Sequence, residues 1–101
     1  MDNSINIEKP QDTGFTIYSK SGCPNCTRIK KTLTEKNQTY VEINCDEYLI
    51  EDKDAFLSFI KNLAHKECKV FPIIFNNGTF MGGFNETHAY LDKQLSFDEN
   101  I

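Results

Sequence analysis

The segment Val70-Phe71-Pro72-Ile73-Ile74-Phe75, followed at once by Asn77-Gly78, constrains the fold of this chain more than any other. Its continuous apolar run reads as a strand. Asn77-Gly78 is a strong hairpin signal, because a type I′ turn needs positive φ at both central residues and Asn and Gly tolerate it best. Thr79-Phe80-Met81 then returns as the antiparallel partner. The rest of the chain must therefore be arranged around a C-terminal hairpin.

Upstream, Phe15-Thr16-Ile17-Tyr18 is a short β-branched and aromatic run that predicts a strand. Ser21-Gly22 breaks it, and a helix is expected from about Pro24 to Lys36, with proline in the first turn, where its missing N–H has no partner to lose. Cys26, Ile29 and Leu33 share one helical face, while Arg28, Lys30 and Lys31 lie mostly elsewhere. Tyr40-Val41-Glu42-Ile43 alternates as a second strand. An acidic loop then leads to a helix from about Asp52 to His65, with Ala55, Phe56, Phe59, Ile60 and Leu63 as its core stripe. Gly82-Gly83 ends the fourth strand, and Asn85 is expected to cap a last helix reaching about Leu95.

The order is β-α-β-α-β-β-α. Two strands joined by a helix should be parallel with a right-handed crossover. The expected fold class is therefore α/β: a four-stranded mixed sheet with helices available for both faces. Residues 1–13 read as a flexible or loosely docked lead-in, 14–95 as the domain, and 96–101 as a tail. A length of 101 residues suits one hydrophobic core.

No apolar run approaches the roughly 20 residues of a membrane-spanning helix. The first residues also lack the basic and apolar parts of a signal peptide, so a soluble, cytoplasmic protein is expected. A net charge of −4 disfavours nucleic acid and anionic membranes as partners. The charge is uneven. Lys20, Arg28, Lys30, Lys31 and Lys36 stand against Glu35 alone, and the segment after Glu42 is acidic. Either these are solvated faces, or the basic segment draws in an anionic thiol substrate.

Cys23-Pro24-Asn25-Cys26 sits where a strand gives way to a helix. The thiolate is the reactive form of cysteine, and free N–H groups and the dipole at a helix N-terminus stabilise it. Cys23 occupies that position, and Cys26, three residues on, lies on the same face and is expected to be more buried. Such a pair can attack a disulfide with one sulfur and resolve the intermediate with the other. A structural zinc site also uses C-x-x-C spacing, but Cys45, Cys68 and His65 supply neither a second such pair nor a short His pair. Redox chemistry is the leading expectation, with zinc and an inert buried pair as the alternatives.

Three motifs together resemble the glutaredoxin family: Tyr18 to Cys26 resembles its active-site segment, Val70-Phe71-Pro72 its Thr-Val-Pro, and Gly82-Gly83-Phe84-Asn85-Glu86 its Gly-Gly corner. The resemblance covers about residues 14–95. It implies a thioredoxin-like fold and a dithiol oxidoreductase with Cys23 as nucleophile and Cys26 as partner. Glutathione would be the co-substrate, and no metal is expected. The implied glutathione-binding residues are Lys20, Asn25, Phe71, Pro72, Gly83, Asn85 and Glu86, with Phe71 preceding a cis-proline. Asn25 stands where dithiol members often carry an aromatic residue. Leu57 falls near a position where members often carry Gln or Arg, so Lys66 or Lys69 is expected to take over that role. Implied partners are disulfide-bearing or glutathionylated proteins, with ribonucleotide reductase one candidate, and the chain is expected to act as a monomer. A thioredoxin-like protein disulfide reductase and a zinc or iron–sulfur module are the alternatives. Cys45 and Cys68 are expected to be buried or half-buried, with Cys68 near the site, and His65 and His88 to be surface residues.

Overall fold

A computed structural model describes residues 6–99, with side chains to residue 93. The first five residues of the expected lead-in and the last two of the expected tail lie outside the described residues. The elements are β1 (Phe15–Ser19), α1 (Pro24–Glu35), β2 (Tyr40–Asn44), α2 (Asp46–Ala64), β3 (Ile73–Asn76), β4 (Thr79–Gly82) and α3 (Phe84–Glu99). The sheet order is β2-β1-β3-β4. β1 runs parallel to β2 and antiparallel to β3, which pairs antiparallel with β4. This is the thioredoxin-like architecture. Asn77 and Gly78 take φ of 54° and 80°, as a type I′ turn requires.

All five residues of β1 are buried, because the strand is covered on both faces. Phe15 and Ile17 pack with Ile29 and Leu33 of α1, Ile74 and Leu91 of α3. Tyr18 points the other way, into a cluster with Ile73, Phe75 and the α2 residues Phe56, Ile60 and Ala64. The alternation along one strand thus assigns α1 and α3 to one face and α2 to the other. Cys26 lies on α1 but joins the α2-side cluster.

Three expectations need correction. The acidic stretch after β2 is helical from Asp46, with Asp46 and Glu47 in a first turn where the helix dipole favours anions. Asp52 (φ −161°, ψ 84°) breaks that helix, and its Oδ1 accepts the Ala55 N–H at 3.0 Å, so it caps the longer second segment. The third strand begins only at Ile73. Val70 is 78% exposed, and the Phe71–Pro72 peptide is cis and lies before the ladder, to which proline has no N–H to give. The last helix starts at Phe84, not after Asn85, and continues past residue 95 to Glu99. Of the two readings of the lead-in, flexible or loosely docked, contacts at Glu8 fit the second. The Tyr18 hydroxyl donates to the Glu8 carbonyl at 2.6 Å, and the Glu8 N–H donates to the Tyr48 hydroxyl at 3.1 Å.

Phe56 organises the α2 side. Its ring is fully buried between Tyr48 (centroids 5.7 Å apart) and Phe71 (6.1 Å), both nearly parallel to it. Because Phe71 opens the segment that carries Pro72, this stack ties α2 to one wall of the site. Phe56→Ala is expected to cost about 3–5 kcal/mol in denaturant unfolding, the usual range for emptying a buried aromatic position. A loss below about 1 kcal/mol would show that the stack does not hold α2 in place.

Candidate active site

The site forms where the C-terminal ends of β1 and β2 meet the N-termini of α1 and α2. β1 ends at Ser19, whose carbonyl accepts the Cys45 N–H at 2.8 Å. Lys20, Ser21 and Gly22 then turn the chain into α1, with Gly22 at φ 68°, a conformation that favours glycine. Cys23 is the N-cap of α1 with extended backbone (φ −119°, ψ 96°), and Pro24 opens the helix. The Cys26 N–H donates to Cys23 Sγ at 3.1 Å, and the Cys23 carbonyl accepts from the Thr27 N–H at 3.3 Å. An N-cap side chain normally accepts from the second or third helical amide. Here Cys23 Sγ fills that role.

Cys23 and Cys26 are joined as a disulfide, with Cα atoms 5.3 Å apart. Cys23 is half-buried and Cys26 is 2% exposed, so the first sulfur is the accessible one. Asn25 is half-buried between them, and its Oδ1 accepts from Arg28 Nη1 at 3.3 Å. An amide and a guanidinium thus stand beside the cysteine pair.

A groove of about 430 Å³ opens beside this pair, lined by Asn25, the Lys66–Ile73 segment and the Phe80–Glu86 corner. It brings together Asn25, Phe71, Pro72, Gly83, Asn85 and Glu86 of the expected set, and also Lys66, Cys68 and Lys69. Lys20 does not line it. Its Nζ lies 5.8 Å from the centre of the Phe71 ring, at the rim. The β1–β3 ladder ends at the Tyr18–Ile73 pair, leaving the Phe71 backbone beyond it.

The Gly-Gly corner is tightly built. Gly82 has φ 129°, and a Cβ there would come within 2.7 Å of Glu86 Cβ. Gly83 precedes α3, and its carbonyl accepts the Thr87 N–H at 3.1 Å. Glu86 Oε1 accepts the Gly83 N–H at 2.9 Å, the glutamate half of a capping box, glycine having no side chain to return the bond. This bond holds the Glu86 carboxyl below its ordinary range. Asn85 is exposed in the first turn.

Sequence reasoning missed Asp46. Its Oδ1 accepts the Ser21 N–H at 2.9 Å and its Oδ2 accepts from the Ser21 hydroxyl, which pulls its carboxyl below the ordinary value. It looked like one acid in a solvated run. The only available signal was its place just after β2, beside the end of the parallel strand β1.

Cys45 is fully buried, donates weakly to the Ile43 carbonyl at 3.5 Å, and is pushed up to about 12 by burial. Cys68 is half-buried, and burial raises it as well, opposed by Lys66. His65 ends α2 in the left-handed region (φ 64°), and His88 pairs with Asp92 at 3.5 Å. Among the described residues no group of three or more His, Cys, Asp or Glu gathers as a metal site.

A family model described as Glutaredoxin matches residues 15–81. The chain is 36% identical over 84 residues to glutaredoxin 1 of Rickettsia felis, a match covering 78% of each. It is 35% identical over 83 residues to the mitochondrial glutaredoxin-2 of Pongo abelii, covering 80% of this chain and 48% of that one. The chain thus spans about half the length of that relative. The crystal structure of glutaredoxin 1 from Francisella tularensis complexed with cacodylate has the same fold, with a TM-score of 0.69 and 28% identity over 81% of this chain and 95% of that one.

Thiol labelling of the reduced protein tests the assigned environments. At neutral pH, iodoacetamide is expected to modify Cys68 slowly and Cys45 only after unfolding, because a protonated, buried thiol is a poor nucleophile. Rapid labelling of Cys45 in the native protein, read by peptide mass spectrometry, would contradict the burial assigned to it.

Proposed function

Because the chain belongs to the glutaredoxin family, whose members are thiol–disulfide oxidoreductases, we propose that it reduces glutathione mixed disulfides and protein disulfides at the expense of glutathione. The observation that carries this reading is the Cys26 N–H donating to Cys23 Sγ at the start of α1, with a groove opening alongside.

With a glutathione mixed disulfide, Cys23 thiolate attacks the glutathionyl sulfur. The Cys23–glutathione disulfide forms, the old S–S bond breaks, and the substrate leaves as a thiolate that takes up a proton. A second glutathione thiolate then attacks the glutathionyl sulfur, releasing glutathione disulfide and restoring Cys23 thiolate. With a protein disulfide, Cys23 bonds to one substrate sulfur and Cys26 thiolate attacks Cys23 Sγ, expelling the reduced substrate. The product is the Cys23–Cys26 disulfide, and two glutathione molecules reduce it while becoming one glutathione disulfide.

The groove suits a glutathione tripeptide. The Phe71 backbone lies outside the ladder and is available to an extended peptide. Lys20, Lys66 and Lys69 bring positive charge to its rim and wall for the two carboxylates. The Glu86 carboxylate, already bonded to the Gly83 N–H, supplies negative charge where the γ-glutamyl ammonium would come. Such a cycle needs a reducing compartment, and we place the protein in the cytoplasm. Its protein substrates are glutathionylated proteins, with ribonucleotide reductase a further candidate.

The test is glutathione-coupled reduction of a glutathione mixed disulfide. Wild type is expected to turn over, Cys23→Ser to lose turnover, and Cys26→Ser to keep it with mixed disulfides while failing on a protein disulfide. Wild-type rates no higher than those of Cys23→Ser would defeat the proposal. Reduction by a flavoenzyme but not by glutathione would transfer the protein to the thioredoxin-like reading.

A further inference from the structure

The Asp46 carboxylate makes two hydrogen bonds to one residue of a different connection, the turn between β1 and α1. Asp46 is the first residue of α2, and its own N–H donates to Asn44 Oδ1 at 2.9 Å. The neighbouring Cys45 N–H is fixed to the Ser19 carbonyl at 2.8 Å. Asp46 is therefore anchored on the rigid end of β2 and reaches across to Ser21. Ser21 stands between two functional positions: Lys20, whose Nζ sits over the Phe71 ring at the groove rim, and the Gly22–Cys23 step into α1.

We propose that Asp46 is a positioning residue for thiol transfer, clamping Ser21 through both carboxylate oxygens so that Lys20 is held at the groove rim and Cys23 at the start of α1. This deepens the glutathione-dependent reading and rests on it. Three exposed residues, Lys20, Ser21 and Gly22, form this turn, and exposed loops are otherwise free to sample other conformations. Hydrogen bonds to an ionised acceptor are stronger than neutral ones, and two of them on adjacent donors fix orientation as well as distance. Asp46 touches neither substrate nor reacting sulfur in this scheme. Its effect is on how substrate is received.

The test compares Asp46→Ala, which removes both acceptors, with Asp46→Asn, which keeps an oxygen for the Ser21 N–H and a polar partner for its hydroxyl without the charge. In the glutathione-coupled assay, Asp46→Ala is expected to raise KM for the mixed disulfide about fivefold, the ratio corresponding to one hydrogen bond of ordinary strength. Its kcat should stay near wild type, and Asp46→Asn should restore most of the KM. An unchanged KM in Asp46→Ala, or equal rises in both variants, overturns the proposal, the second outcome assigning the effect to charge. Wild type that shows no glutathione-coupled turnover defeats the proposed function instead. Amide exchange at Ser21, followed by NMR, then decides the clamp alone: slow exchange in wild type and Asp46→Asn with fast exchange in Asp46→Ala upholds it, and equal exchange in all three overturns it.

Discussion

The hydrogen bond from the Cys26 amide to Cys23 Sγ is the contact around which the site is arranged. It exists because Cys23 is the N-cap of α1, and the helix starts there because β1 ends at Ser19 and the chain turns within three residues. Pro24 strengthens that start, since its fixed φ suits the first helical position and its lack of an N–H costs nothing there. The first turn of α1 carries no acidic residue that would compete with a thiolate for the helix dipole. The chemistry proposed for Cys23 thus rests on the local geometry of a helix terminus.

The fold then serves to bring three other segments to that terminus. The stack of Tyr48, Phe56 and Phe71 ties α2 to the segment before β3. The late start of β3 leaves that segment outside the ladder, where it forms a wall of the groove. Gly82 and Gly83 close the far end against Glu86, in a corner where a Cβ on Gly82 would overlap the glutamate side chain. In a chain with a net charge of −4, the basic residues Lys20, Arg28, Lys66 and Lys69 gather around this groove and the cysteine pair.

Much of this was legible in the sequence for identifiable reasons. Asn77-Gly78 and the apolar runs carried the hairpin and β1, because turn chemistry and side-chain periodicity are local properties. The buried face of α1 followed from the spacing of Cys26, Ile29 and Leu33, all of which are buried. What escaped depends on partners distant in sequence. The helical turn at Asp46 looked like a solvated acidic loop because its dipole contacts and its bonds to Ser21 are invisible in a linear reading. Asn85 looked like the cap of α3, but Glu86 can reach back to the Gly83 N–H only because the backbone turns at Gly82. The strand assigned to Val70 and Phe71 failed because apolar character cannot supply the N–H that Pro72 lacks. The cis-proline and the groove beside the cysteine pair came from family resemblance, since neither leaves a signal in periodicity or composition.

The central proposal is that Cys23, once reduced, reacts as a thiolate held at the α1 terminus. Its most direct test is an NMR titration of the reduced protein, following the Cys23 13Cβ and Cys26 amide shifts together. The account predicts one common midpoint, below the value of about 8.5 of an ordinary thiol. A Cys23 midpoint at or above that value, or a Cys26 amide that does not respond to it, would contradict the account.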